Sequence, residues 1–271
     1  MRRLAFTRRL AGAVLIAASA LLSACSEKKD DYVERPVEEL YNEAMDLVDK
    51  DEYYKAAQAF DEVERQHPYS VWATKAQLMN AYVLYARNKY ADALVALDRF
   101  IQLHPGNKDT PYAYYLKGLC YYEQVTDVGR DQKMTEMALK ALQEVVDRYP
   151  ASTYARDAKL KVDLTRDHLA GKEMAIGRYY QTRNQQLAAL NRYKTVVEQY
   201  QTTSHVPEAL HRMVEVYLTL GLTDEAKKAA AVLGHNFPGS DWYEDTFSLL
   251  QNGHPSGVPE QKDSGWFGWL W

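Results

Sequence analysis

The side chains able to do chemistry in this sequence are two thiols, seven imidazoles and an excess of phenols, 21 Tyr in 271 residues. The motifs that turn such groups into catalysts are missing: the chain has no HExxH, no GxSxG, no phosphate-cradling glycine loop and no cysteine pair at metal-ligand spacing. His67 and His104 each precede a Pro, as turn residues do, and His205 and His211 stand six apart, on different faces of any helix. The expectation is therefore a protein with no catalytic residue, no metal site and no soluble cofactor. Cys120 lies in an apolar helical stretch and reads as core. What remains is the chemistry of tyrosine, a large rigid ring ending in a hydroxyl, which suits binding rather than bond-making.

The other thiol, Cys25, stands in a different setting. Arg2, Arg3, Arg8 and Arg9 precede an apolar run from Leu10 to Leu22, too short for a permanent membrane span. Leu22-Ser23-Ala24-Cys25 then resembles a bacterial lipobox. The reading is a signal peptide over 1–24, lipid attachment (diacylglycerol and N-acyl) on Cys25, and a lipidated linker over 25–36. Several acyl chains give stable membrane attachment. Ser26, where an Asp would resemble an inner-membrane retention signal, points to the outer membrane with the protein facing the periplasm. Removing 1–24, which carries four Arg and no acid, takes the net charge from −4 to −8. That gives no electrostatic footing for nucleic acid. With Cys25 lipidated, Cys120 has no thiol to pair with, so no disulfide framework is expected.

The elements that must position the tyrosines follow from an internal repeat. Taking Pro68, Pro105 and Pro238 as the last fixed position of a 34-residue template aligns units 37–70, 74–107 and 207–240 without gaps. Small or apolar residues then recur in register, among them Ala44, Ala56, Phe60 and Val63, then Ala81, Ala93, Leu97 and Phe100, then Tyr217, Ala226, Ala230 and Leu233. Residues 111–152 fit if eight extra residues near Val125–Lys133 separate the paired helices, and 170–203 fits with Gln201 in place of the turn Pro. The 17 residues Thr153–Leu169 show helical periodicity and are expected to extend the first helix of the fourth unit, which Gly171 could kink. The pattern resembles the tetratricopeptide repeat. It implies an all-α, right-handed α-solenoid of about five helix pairs, followed by a capping helix from Asp241 to Gln251.

Such arrays line their inner surface with first helices and cradle peptides or partner surfaces. By register, Tyr41 and Met45, Tyr82 and Tyr85, and Tyr112, Tyr115 and Tyr122 face inward, so the expected groove is aromatic. Each ring could instead pack between neighbouring repeats. A carboxylate clamp, which needs inward Lys and Asn, is not expected, since only Lys75 is so placed.

Some stretches are more specific. Asp98-Arg99-Phe100-Ile101, Pro105 and Tyr112-Ala113-Tyr114-Tyr115-Leu116-Lys117-Gly118-Leu119, with Asp167-His168-Leu169-Ala170, Arg178-Tyr179-Tyr180 and Leu190-Asn191-Arg192-Tyr193, resemble the ComL/BamD-like family, the tetratricopeptide-repeat lipoproteins of the outer-membrane β-barrel assembly machinery. The resemblance implies a non-enzymatic scaffold at the outer membrane. Repeats 1–3 (37–152) would receive unfolded outer-membrane proteins. The long helix and repeats 4–5 (153–240) would hold the POTRA domains of the central barrel subunit and another assembly lipoprotein, with Arg192 at that interface unless it is solvated or pairs with Glu198. A rival reading is another tetratricopeptide lipoprotein, such as a secretin pilotin, which would share the lipobox and repeats but not these junctions. Beyond residue 240 lie the cap and an aromatic tail (241–271) whose Trp266, Phe267, Trp269, Leu270 and Trp271 could meet a membrane interface, the chain itself or another subunit.

Overall fold

The computed structural model describes residues 33–252; the signal peptide, Cys25 and the Trp-rich segment lie outside the described residues. The described residues contain eleven helices and no strand: α1 Val37–Asp49, α2 Tyr53–Gln66, α3 Val71–Ala86, α4 Tyr90–Leu103, α5 Thr110–Tyr122, α6 Lys133–Arg148, α7 Thr153–Thr182, α8 Gln186–Gln199, α9 Val206–Thr219, α10 Thr223–Asn236 and α11 Asp241–Asn252. Each helix packs on its chain neighbours, and several first helices also touch the next first helix. This is the nearest-neighbour packing of tetratricopeptide-type helix pairs in a solenoid.

Within each pair the two helices meet through complementary sizes. The eighth residue of the five units is Ala44, Ala81, Gly118, Gly177 and Val214, all buried, and the facing residue of the second helix is Phe60, Leu97, Leu142, Tyr193 and Ala230. The bulkiest knob, Tyr193, therefore sits in a glycine notch, and where the notch is filled by Val214 the knob shrinks to Ala230. The Tyr193 and Val214 pairs thus offset notch size against knob size, as dense packing between helices requires.

Two turn types alternate. Between the helices of a pair, Asp51, Asn88, Asn184 and Gly221 take the left-handed conformation, with φ of 57°, 58°, 58° and 74°. The following amide bonds back to the last turn, as Lys89 N–H does to Leu84 O at 2.9 Å, closing a Schellman cap. Between pairs, the second helices end at His67, His104, Tyr149, Tyr200 and Phe237, all near φ −130° and ψ 50°. The conformation at Tyr200 (φ −123°, ψ 42°) is shared although Gln201 replaces the Pro. Pro should therefore fit there with less unfolded-state entropy. Gln201→Pro is expected to leave the fold intact and stabilise it by about 0.4–1 kcal/mol in urea titrations.

One boundary and one expected kink differ from the sequence reading, and the insertion lies at the expected place. α3 starts at Val71, one turn before the expected 74, because Ser70 Oγ accepts the Ala73 N–H at 3.0 Å and caps it there. α7 runs 30 residues without interruption through Gly171, whose Cα faces the His205 ring (3.1 Å from a Cβ placed there to Nε2), so the glycine makes room for a neighbour instead of breaking the helix. The insertion between α5 and α6 is held by buried Gln132, whose Nε2 donates to the carbonyls of Asp127 and Arg130 at 3.2 and 3.0 Å.

Candidate functional site

The first helices bring the candidate residues into two groups. In the first, Tyr41 on α1 lies 4.9 Å from the Trp72 ring on α3 and 5.7 Å from Phe60 on α2, with half-buried Met45 in the same cluster. Lys75 Nζ sits 4.5 Å above Trp72, so the inward Lys is occupied by a ring. In the second group, Tyr82, Tyr85 and Tyr112 pack at the α3–α5 junction. Tyr112 and Tyr115 both reach Tyr154 on α7, at 5.2 and 5.4 Å between centroids. Tyr122, at the end of α5, has Lys161 Nζ 5.3 Å from its ring centre. All seven predicted residues are half-buried. They cement neighbouring repeats and keep part of their surface in solvent.

The hydroxyls meet an acidic rim. Tyr85 Oη donates to Glu123 at 3.3 Å, and Tyr115 Oη donates to Asp157, which also pairs with Lys161 at 3.2 Å. Burial, then the Glu123 charge, pushes Tyr85 up to about 12, and burial likewise raises Tyr112 and Tyr115. These phenols stay neutral and do not act as phenolate bases; Tyr85 and Tyr115, whose one O–H goes to Glu123 and Asp157, keep oxygen lone pairs that can accept from a backbone N–H. The Tyr115 hydrogen bond in turn lowers the Asp157 carboxyl. Sequence reasoning misses Trp72, Tyr154, Glu123 and Asp157. Tyr154 is detectable in principle, because it opens the 153–169 segment, whose helical period is visible and needs only to be aligned with α5.

The C-terminal repeats carry a polar network instead. Arg192 on α8 pairs with Glu173 on α7 at 3.0 Å, not with Glu198, because α7 packs directly against the α8 face that bears it; its side chain keeps 42% of its surface exposed. Arg178 on α7 bonds Glu208 on α9 at 2.8 Å. Beneath them, buried Glu215 on α9 accepts from Gln181 Nε2 at 3.0 Å and Arg212 at 2.8 Å, and lies 3.5 Å from His211 Nε2. Thr246 on α11 donates to the Trp242 carbonyl, and its hydroxyl oxygen lies 2.8 Å from His211 Nδ1.

A family model described as YfiO, outer membrane lipoprotein, matches residues 33–233. The chain belongs to the YfiO family. Among its relatives, one named outer membrane protein assembly factor BamD from Caulobacter vibrioides is 54% identical over 89% of this chain and 79% of its own length. A protein of the same name from Rickettsia prowazekii is 45% identical over 88% of this chain and 95% of its own. A third, from Neisseria meningitidis serogroup A, is 34% identical over 81% and 88%. The YfiO match spans both residue groups described above, the tyrosine face and the Arg192 region.

Other features of this YfiO chain bear on chemistry. Cys120 is fully buried, and burial pushes its thiol up to about 12, so it is core and not a nucleophile. No group of His, Cys, Asp and Glu among the described residues could hold a metal ion. No described helix is long and apolar enough to cross a membrane. Cys25, the predicted lipid site, lies outside the described residues.

Proposed function

We propose that this chain is a non-catalytic outer-membrane protein assembly factor, anchored by lipid on Cys25 and facing the periplasm, that offers two surfaces. The tyrosine face of the first three repeats receives unfolded β-barrel proteins. The region around Arg192 docks the POTRA domains of the central barrel subunit, beside other assembly lipoproteins. The observation that carries the assembly role is 54% identity across most of the chain to an assembly factor. Support for the peptide face comes from half-exposed rings with neutral hydroxyls, since an extended strand presents alternating apolar side chains and backbone groups that both can satisfy. The pilotin reading has no such support.

Photo-crosslinkers placed at Tyr85 and Arg192 in living cells test both surfaces. The expected adducts are unfolded outer-membrane proteins from position 85 and the barrel subunit from position 192. The combined change Tyr82→Ala and Tyr115→Ala is expected to weaken the first adduct several-fold and spare the second. A secretin at either position, or substrate capture that ignores the tyrosine pair, overturns the proposal.

A further inference from the structure

The turns that end α7 and α9 expose an apolar edge. Leu187, Leu220 and Leu222 keep 66%, 36% and 45% of their surface in solvent. Leu187 and Leu220 line one open cavity of about 640 Å³ with Asn184, Gln185, Gln186 and Thr219, and none of its lining residues is charged. Leu187, in the first turn of α8, lies outside the core cluster of these repeats.

The chain itself delivers a cover to this edge. α10 and α11 form a hairpin, Gly234 against the Tyr243 ring, so α11 runs parallel to α9 in the place of a sixth first helix. Its contact with α9 is offset by 35 residues, His211 to Thr246, which sets Asn252 level with Tyr217. In every preceding unit a second helix follows at this point; here the described chain stops beside the turn that holds Leu220 and Leu222. Residues 253–265, with Gly253, Pro255, Gly257, Pro259 and Gly265, then lead to Trp266, Phe267, Trp269, Leu270 and Trp271. A linker of this length and composition spans on average about 20 Å, and such a tether keeps its end at millimolar local concentration. Residues 264–271 carry no charged side chain, matching the uncharged cavity.

We propose that segment 264–271 docks on the edge formed by Leu187, Leu220 and Leu222, a clasp over the turns of the last two repeats. It covers the last two repeats independently of the function proposed above. The test compares hydrogen exchange in the full mature chain and in a chain ending at Asp263. Removing 264–271 is expected to speed exchange several-fold in peptides covering 183–190 and 218–224, and to leave the α2–α4 peptides unchanged. Leu187→Lys with Leu222→Lys, in the full chain, should reproduce that pattern while the melting curve stays cooperative. Three results overturn the clasp: identical exchange with and without the segment; protection that appears only with vesicles of phosphatidylethanolamine and phosphatidylglycerol, which makes the segment a membrane element; or protection that vanishes on dilution, which makes it a contact between two copies.

Discussion

Gly177→Ala is expected to lower stability by about 1–3 kcal/mol, and Tyr193→Ala by about 3–5 kcal/mol, read from urea midpoints with unchanged slope. A Cβ on Gly177 would fall on the Tyr193 ring, which has no exposed surface and whose hydroxyl is held by Gln181 at 2.7 Å. A rigid, tethered ring has nowhere to turn, so either the ring or the α7–α8 spacing must give. The same change at Gly118 meets the tip of Leu142, at 2.6 Å to Cδ2. That side chain can switch rotamer, so Gly118→Ala should cost clearly less. Equal losses at the two glycines would mean that helix spacing, and not knob rigidity, sets the penalty.

Glu215→Gln should cost on the order of 3 kcal/mol at neutral pH, and the cost should shrink in acid. Burial by itself would raise this carboxyl. Hydrogen bonds from His211, Arg212 and Gln181, together with the Arg212 charge, outweigh it and hold the group at about 2, below its ordinary value of 4.5. A folded-state pKa below the unfolded one stabilises the protein in full above about 4.5, and this contribution fades as pH falls towards 2. Urea titrations at pH 7 and pH 3 check the sign: the gap between wild type and Glu215→Gln should shrink to about half or less at the lower pH. A gap independent of pH would show that the loss comes from packing. Because Gln181 bonds both Tyr193 and Glu215, the two sites share a partner. Tyr193→Phe combined with Glu215→Gln should therefore depart from additivity.

The sequence by itself determined the elements and their order. Small residues such as Ala44, Ala81 and Gly177 stand at the same place in successive units, and Pro68, Pro105, Pro150 and Pro238 mark the ends of units. Both signals are local and survive without knowledge of any partner. The turn before each second helix is equally local, since Asp51, Asn88, Asn184 and Gly221 each stand five residues ahead of Ala56, Ala93, Ala189 and Ala226, although that register becomes conspicuous only once the left-handed conformations are seen. Tertiary structure alone decided what the polar and aromatic side chains do. Arg192 had several carboxylates within sequence reach, and only the packing of α7 on α8 selected Glu173. Tyr154 joined Tyr112 and Tyr115 because α7 lies beside α5, a neighbour more than thirty residues away. Periodicity records which face of a helix is buried; pairing depends on distances between helices, which the order of residues along one chain does not contain.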